Sequence, residues 1–442
     1  MIFIGIALIA IFLYIRNYKI LALLLFFFFI TSGFNLVPEE ITKFAFISKG
    51  GDYAFLIITG IAIIGGMFDR GYFNRDNFTK YLILFASFLV VCILYNKFVL
   101  KLAWDEILRT CRYQFFWIAY FVFRHLEKER LEMLLKCLFF ISLFTAVLFL
   151  LQIVFNREIL IEGGISFFHL FGIRMTRFYN QPDMLFFFTF MALYHNPLKG
   201  IPRYLTMIVF TAALLGSLHR SLMGCFAISV ILGYVISLPR LKRIYFTVFA
   251  SIALLFAIVF LGYKFVHSRT YSDIKAVVSG NFLEAEFDVA DMDATFTFRI
   301  LHLLERNQYL LEHPQAMLLG AGLMPEDSKM VNKMFDFEIG LVDELTNSTL
   351  QLDTGDISYP VLLLRFGYLG TFLYLYLIFY LMFYFYKKRE NRYAFFSFLY
   401  LVLSIGDSFF AANLLNPVTY LLPLISYQII QKTDKPVLIP HK

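Results

Sequence analysis

Charge is scarce in this chain: Asp, Glu, Lys and Arg make up 16% of its 442 residues, against about a quarter in an ordinary soluble domain. A soluble protein is excluded as the simplest reading, because soluble chains mix polar residues into every amphipathic element. Cysteine is scarce too. Cys92, Cys111, Cys137 and Cys225 all lie within or beside apolar segments. That placement argues against a disulfide framework or a cysteine metal cluster and suits small packing residues. No HExxH sequence and no CxxC pair is present. Gly320 and Gly322 in 318-LLGAGL-323 follow no predicted strand and lack a Walker lysine, so they read as turn glycines. Neither a metal nor a nucleotide is indicated, and no cofactor is expected. The first apolar stretch lacks a basic leader and a small-residue cleavage site, so it reads as a membrane helix.

What the chain has in abundance is hydrocarbon. Hydrophobic residues are 60% of the sequence, with 56 Phe and 27 Tyr against 2 Trp, and the mean hydropathy is +0.71. Runs such as 25-LFFFFI-30 and 185-LFFFTF-190 suit lipid contact or tight helix packing, and the tyrosines can anchor helix ends at the interface. The net charge of +7 could suggest nucleic-acid binding, but its distribution excludes that reading. Residues 267–357 hold 16 acidic and 6 basic residues, and the remainder holds 33 basic and 16 acidic. The excess positive charge sits in short connections between apolar runs, as the positive-inside rule expects of cytoplasmic loops.

Apolar runs begin near residues 2, 20, 53, 81, 113, 134, 183, 203, 220, 243, 359, 393 and 416. Several fall short of the roughly 20 residues of a straight span, and the run at 113–124 is the weakest. Basic clusters alternate between them, from Arg16 and Lys19 through Arg70, Arg75 and Lys80 to Lys432 and Lys435. With all of these in the cytoplasm, the expected fold is an all-α polytopic membrane protein. It has about 13 transmembrane helices, the N-terminus outside and one large external loop. Three regions follow: N-terminal membrane helices over 1–266, the external loop over 267–357, and C-terminal membrane helices with a cytoplasmic tail over 358–442. Within the loop, 295-TFTFRILHLLERNQYLLEHP-314 reads as a helix, since Ile300, Leu303, Leu304 and Leu311 share a face and Pro314 marks its stop. The segment 101-KLAWDEILRTCR-112 is amphipathic and suits the interface.

The outward connections carry basic residues against that trend: Arg174 and Arg177, His219 and Arg220, Arg299 and Arg306. Arginine suits a diphosphate because its planar donors match phosphate oxygens in pairs. Arg299, His302 and Arg306 share one helix face. The competing reading pairs these arginines with the loop's own acids, and Arg306, beside Glu305, fits it best. Arg220 has no acid near it in sequence. Asp353 and Asp356 precede the run at Tyr359 and could accept a proton from an attacking hydroxyl; otherwise they are solvated acids or a helix cap. His302, His313, Arg365 and Asp407 are weaker single signals. Asp407, in 401-LVLSIGDSFFAANLL-415, is an intramembrane acid that is costly unless it faces the bundle interior.

The order of these features resembles the O-antigen polymerase and O-antigen ligase superfamily of bacterial surface-polysaccharide enzymes. An Arg-x-x-Arg-Phe-x-Asn-x-Pro turn (Arg174 to Pro182) is followed by a Ser-x-x-Arg hairpin (Ser217 to Arg220). A large loop then carries an Arg-led helix, a Pro and a Gly-x-Gly (Arg299, Pro314, Gly320, Gly322), before a closing 353-DTGDISYPVLLLRFGYLG-370. The likeness covers roughly residues 100–430. It implies a GT-C-like glycosyltransferase on the periplasmic face of the inner membrane, using an oligosaccharide on undecaprenyl diphosphate and no metal or nucleotide sugar. Arg174 or Arg177, Arg220 and Arg299 would then hold the lipid diphosphate, with His219 and Arg306 as secondary contacts. Ligases place a His before the closing span. Here that stretch offers Asp353 and Asp356 instead, which favours the polymerase branch.

The resulting expectation is an inverting polysaccharide polymerase of the lipopolysaccharide type. Asp356, then Asp353, then His302 are the candidates for taking the hydroxyl proton, and a chain-length regulator is a candidate partner beside the membrane lipids. Two alternatives stand beside it. One is a ligase moving finished polymer to lipid A-core; the other is a transporter of lipid-linked glycans, which would concentrate polar residues at the bilayer midplane.

Overall fold

The computed structural model describes residues 2–43, 49–74, 76–161, 163–170, 173–239, 294–325, 328, 330–335, 337, 341–343, 348–350 and 357–434. Apolar runs become helices because only a helix satisfies its own backbone hydrogen bonds away from water. In chain order these are α1 (Ile2–Ile15), α2 (Lys19–Ile30), short turns α3 (Ser32–Asn35) and α4 (Glu39–Thr42), α5 (Gly50–Phe68), α6 (Asn77–Phe98) and α7 (Trp104–Cys111). A 3-10 segment (Arg112–Ile118) leads into α8 (Ala119–Arg124) and α9 (Lys128–Phe155). After the hairpin β1 (Ile165–Leu170) and β2 (Ile173–Phe178) come α10 (Leu185–Tyr194), α11 (Arg203–Gly216) and α12 (Arg220–Ser237). The later chain supplies α13 (Ala294–Glu312), α14 (Pro314–Leu319), α15 (Val331–Met334), a small hairpin β3 (Leu341–Asp343) and β4 (Ser348–Leu350), α16 (Ser358–Lys387), α17 (Arg392–Asp407) and α18 (Val418–Asp434).

The protein is mainly helical with membrane character, but the expected thirteen spans are not what folds. Among the described residues four helices are long and apolar enough to cross a bilayer: α5, α6, α9 and α16. The others fall short physically. At 1.5 Å per residue α10 is about 15 Å long and α11 about 21 Å, against roughly 30 Å of hydrocarbon. The run at 113 is broken, its first part wound as a 3-10 segment before six residues of α-helix. α2 stops at a bend where Ser32, Gly33, Phe34 and Asn35 all take positive φ. The run expected near 243 lies outside the described residues. An apolar run therefore marks burial, in lipid or in protein, and does not by itself count a crossing.

Aromatic packing builds the interior. Trp117 stacks on Tyr420 at 4.0 Å and 5°, and the Tyr420 hydroxyl donates to the Tyr113 carbonyl at 2.5 Å. Outward faces carry bare hydrocarbon: Phe140, Phe144, Phe372 and Phe383 are exposed, which suits lipid as the surrounding solvent.

One crossing fixes the described part of the large loop to the bundle. Gly320 (φ +82°) passes so close to the α16 backbone that a Cβ would sit 2.4 Å from the Arg365 carbonyl. Gly367 (φ +64°) breaks α16 at the same place, and a Cβ there would meet the Met317 oxygen at 2.5 Å. Only glycine tolerates both the positive φ and the approach. Ala321 N–H donates to the Leu364 carbonyl at 2.7 Å, and Asn96 Oδ1 of α6 accepts from Leu323 N–H at 2.6 Å. The Tyr368 hydroxyl donates to Asn307 Oδ1 at 2.5 Å. These contacts anchor α13, and with it Arg299.

Candidate active site

Three stretches distant in sequence meet at one end of α17. The first is the β1–β2 hairpin, in which Ser166 pairs with Arg177 and His169 with Arg174. Its exit is held by a buried amide pair. Asn180 Oδ1 accepts from Gln152 Nε2 at 2.6 Å, while Asn180 Nδ2 donates to the Leu160 carbonyl at 2.6 Å. Gln152 Oε1 in turn accepts the Ile159 and Leu160 N–H groups. The Asn of the Arg-x-x-Arg-Phe-x-Asn-x-Pro turn is therefore a structural clamp. Arg177 lies over the Tyr179 ring at 4.6 Å, and its Nε is buried with no hydrogen-bond partner among the described residues.

The second stretch is the turn from α11 to α12. Leu218 takes φ 53° and the Ser217 hydroxyl donates to the Leu214 carbonyl at 2.7 Å, so the chain reverses within a few residues and presents His219 at the start of α12. His219 Nδ1 is 3.0 Å from Ser221 Oγ and 4.0 Å from Asp407 Oδ1. The third stretch is α13, whose Arg299 sits 6.0 Å from the Phe410 ring centre. Phe410 follows α17, its N–H donating to the Asp407 carbonyl at 2.8 Å.

Asp407 is the buried acid of the group, 2% exposed. Its Oδ2 accepts from Asn413 Nδ2 at 2.7 Å, its Oδ1 is buried with no hydrogen-bond partner among the described residues, and it feels the charge of Arg299. Serines fasten the surrounding turn: Ser358 Oγ donates to the Ala411 carbonyl at 2.9 Å and accepts from Leu414 N–H at 3.2 Å. The start of α16 is thereby held against the end of α17. His219 is held neutral. Burial first, then the guanidiniums of Arg177 and Arg299, push its ring down to about 4.

The structure therefore brings together Arg177, His219 and Arg299, and adds Asp407, Ser221 and Asn413. Arg306 sits elsewhere. Seven residues along a helix is about 10 Å, and Arg306, fully buried, pairs with Glu305 and lies over the Phe337 ring at 4.3 Å. His302 is buried next to it, and burial followed by the Arg306 charge pushes its ring down to about 3. For Arg174 and Arg220 the backbone is placed, in β2 and at the first residue of α12, while their side chains lie outside the described residues, as do Asp353 and Asp356 entirely.

Sequence alone marks Asp407 but does not connect it to the arginines; the available signal is a carboxylate closing an apolar helix, since such an acid must find polar company. Ser221 and Asn413 carry no signal of their own. Among the described residues no three His, Cys, Asp or Glu side chains gather as a metal-ligand set. No protein-family model matches the chain, and no curated protein matches it.

Proposed function

We propose that the chain is a glycosyltransferase of the bacterial inner membrane that joins undecaprenyl-diphosphate-linked glycan units, an O-antigen-like polymerase acting on the periplasmic face. One observation carries the reading: Arg177 and Arg299, far apart in sequence, both act on the ring of His219. Two guanidiniums that act on one ring suit a diphosphate, whose oxygens take planar N–H donors in pairs. Arg177 has a donor to give, its buried Nε. In this role the arginines stabilise the negative charge that develops on the departing diphosphate, in a partly dehydrated site where such charge is most sensitive to fixed donors.

The terminal sugar hydroxyl of a second lipid-linked unit attacks the anomeric carbon, and a single displacement inverts that centre. Asp356 and Asp353 are the acids that sequence order offers for the hydroxyl proton. The basic connections between apolar helices support an orientation with this end of α17 outside. The test uses cells lacking the native copy and carrying either Arg177→Ala or Arg299→Ala. Polymer on a glycan gel should vanish while protein in the membrane fraction is retained; undiminished polymer in both variants refutes the reading.

A further inference from the structure

We infer that His219 is the general base of this site, its ring oriented by Ser221 and Asp407, so that Nε2 takes the proton of the attacking sugar hydroxyl. The inference rests on the glycosyl-transfer reading above and deepens it, because it moves the proton acceptor from the loop acids to the α11–α12 turn.

The geometry sets the tautomer. Both acceptors lie on the Nδ1 side of the ring, Ser221 Oγ at 3.0 Å and Asp407 Oδ1 at 4.0 Å. A carboxylate can only accept, and Asp407 Oδ1, buried with no hydrogen-bond partner among the described residues, favours a hydrogen on the ring nitrogen that faces it. Nδ1 then carries the ring hydrogen and Nε2 holds the free lone pair. Asp407 cannot turn away, since Asn413 Nδ2 holds its other oxygen at 2.7 Å. A histidine whose far nitrogen is fixed by a serine and a buried carboxylate is arranged as the base of a nucleophilic triad is, here with a sugar hydroxyl in place of an enzyme nucleophile.

The surrounding charges make that base conditional. From the hairpin and from α13, the charges of Arg177 and Arg299 act on the ring; from α17, Asp407 lies 4.0 Å from its Nδ1. The Cys225 thiol of α12 lies beside Asp407. Burial first, and then the two cations, disfavour the imidazolium, so the ring is neutral and its lone pair available. A bound diphosphate supplies two or more negative charges to the same guanidiniums, and the penalty on a third cation falls. His219 thus gains basicity when the donor is in place.

The step balances. The acceptor oxygen forms its bond to the anomeric carbon as the bond from that carbon to the diphosphate oxygen breaks. The bonding pair leaves on the diphosphate beside Arg177 and Arg299. The hydroxyl proton passes to Nε2, and the imidazolium, steadied by Asp407, gives it up to water after product leaves.

The test uses the full chain in lipid nanodiscs, fed lipid-diphosphate-linked units extracted from host cells that lack this protein. His219→Gln should lower the polymerisation rate by about 10³-fold, within the usual span for a general base, while still binding undecaprenyl diphosphate. Asp407→Asn should slow the reaction by roughly tenfold and move the acid limb of kcat to lower pH, because an imidazolium without its carboxylate neighbour is harder to form. A merely structural role for Asp407 leaves that limb where it was. If His219→Gln does not fold, the limb shift in Asp407→Asn and Ser221→Ala decides the matter alone. Near wild-type turnover in His219→Gln, with Arg299→Ala inactive, overturns the base assignment and leaves the glycosyl-transfer reading intact. The base assignment falls equally if Asp356→Asn, and not Asp407→Asn, moves the limb. Wild-type protein that transfers no sugar from these lipids overturns both.

Discussion

Two clusters in this protein use the same residue types and do opposite things with them. Near the α5–α6 connection, Arg124 donates to the Asn74 carbonyl at 2.7 Å and pairs with Asp76 at 3.4 Å. Asp76 also caps α6 through Thr79 N–H at 2.7 Å and accepts from the Tyr120 hydroxyl. His125 stacks flat on Tyr72 at 4.0 Å, with Nε2 on the Tyr72 carbonyl at 3.0 Å and Nδ1 3.8 Å from Asp69. One arginine and one histidine face two acids, and each is answered within the cluster. At the α17 end, two arginines act on a neutral histidine that lies 4.0 Å from Asp407, and a buried Arg177 nitrogen has no hydrogen-bond partner among the described residues. The first cluster closes on itself and serves folding. The second keeps a buried arginine donor with no hydrogen-bond partner among the described residues, which is what a site for an anion needs.

The largest effect that tests this contrast is on activity. Arg299→Ala should reduce polymer formation by about 10²–10³-fold, the scale for deleting one donor to a developing anion, with the thermal unfolding midpoint in detergent nearly unchanged. A variant that unfolds early and polymerises normally per folded molecule would place Arg299 with the closed kind of cluster. Asp76→Ala is the mirror experiment. It removes a helix cap and a charged hydrogen bond, together about 3 kcal/mol of stability, and should leave turnover per folded molecule intact. Loss of turnover without loss of stability would erase the distinction.

The pH response sharpens the same comparison. His219 sits at about 4 in the folded chain, below the 6.5 of a free imidazole. Its folded-state value is depressed, so its contribution to stability is fully present above pH 6.5 and is lost as pH falls from there toward 4. Wild type should therefore lose roughly 2–3 kcal/mol more between pH 7 and pH 4 than His219→Gln does, at 1.36 kcal/mol per unit with a discount for partial exposure. Equal losses in the two proteins mean that neither burial nor the two arginines hold the ring neutral. Saturating undecaprenyl diphosphate should shrink the difference, because it answers the arginines.

Much of this is legible in residue order and some of it cannot be. The helix led by Arg299 is readable because Ile300, Leu303, Leu304 and Leu311 repeat at helical spacing, and it folds as Ala294–Glu312. The pairing of Arg306 with a neighbouring acid is visible as an adjacency. The span count is not readable, since an apolar run that ends after ten residues, as in α10, looks the same as one that continues until its caps are placed. The β1–β2 hairpin looks in sequence like a plain connection. Its aromatic and β-branched residues pair in register only once the strands are seen together. The gathering of Arg177, His219, Arg299 and Asp407 joins residues from four elements, and no local pattern encodes such a distance. Asp407 gives half a clue, a carboxylate with nowhere polar to go in its own helix.

The smallest effect discriminates most finely. Tyr179 lies under the Arg177 guanidinium at 4.6 Å, and a ring in that position contributes about 0.5–1 kcal/mol at a partly exposed site. In the closed cluster such a contact would add to folding. In the open one it steadies a side chain that otherwise loses rotamer entropy each time it grips a ligand. Tyr179→Leu keeps the bulk and removes the π face. Its cost should therefore fall on ligand binding, as an increase of about two- to fivefold in the Kd for undecaprenyl diphosphate, with an unfolding midpoint close to wild type. Tyr179→Phe, which keeps the ring and loses only the hydroxyl contact to Ser166 at 3.1 Å, should bind as wild type does. A leucine variant that loses stability and keeps its affinity would show that Arg177 belongs to the scaffold, and the grip on an anion at the α17 end would then fall to Arg299.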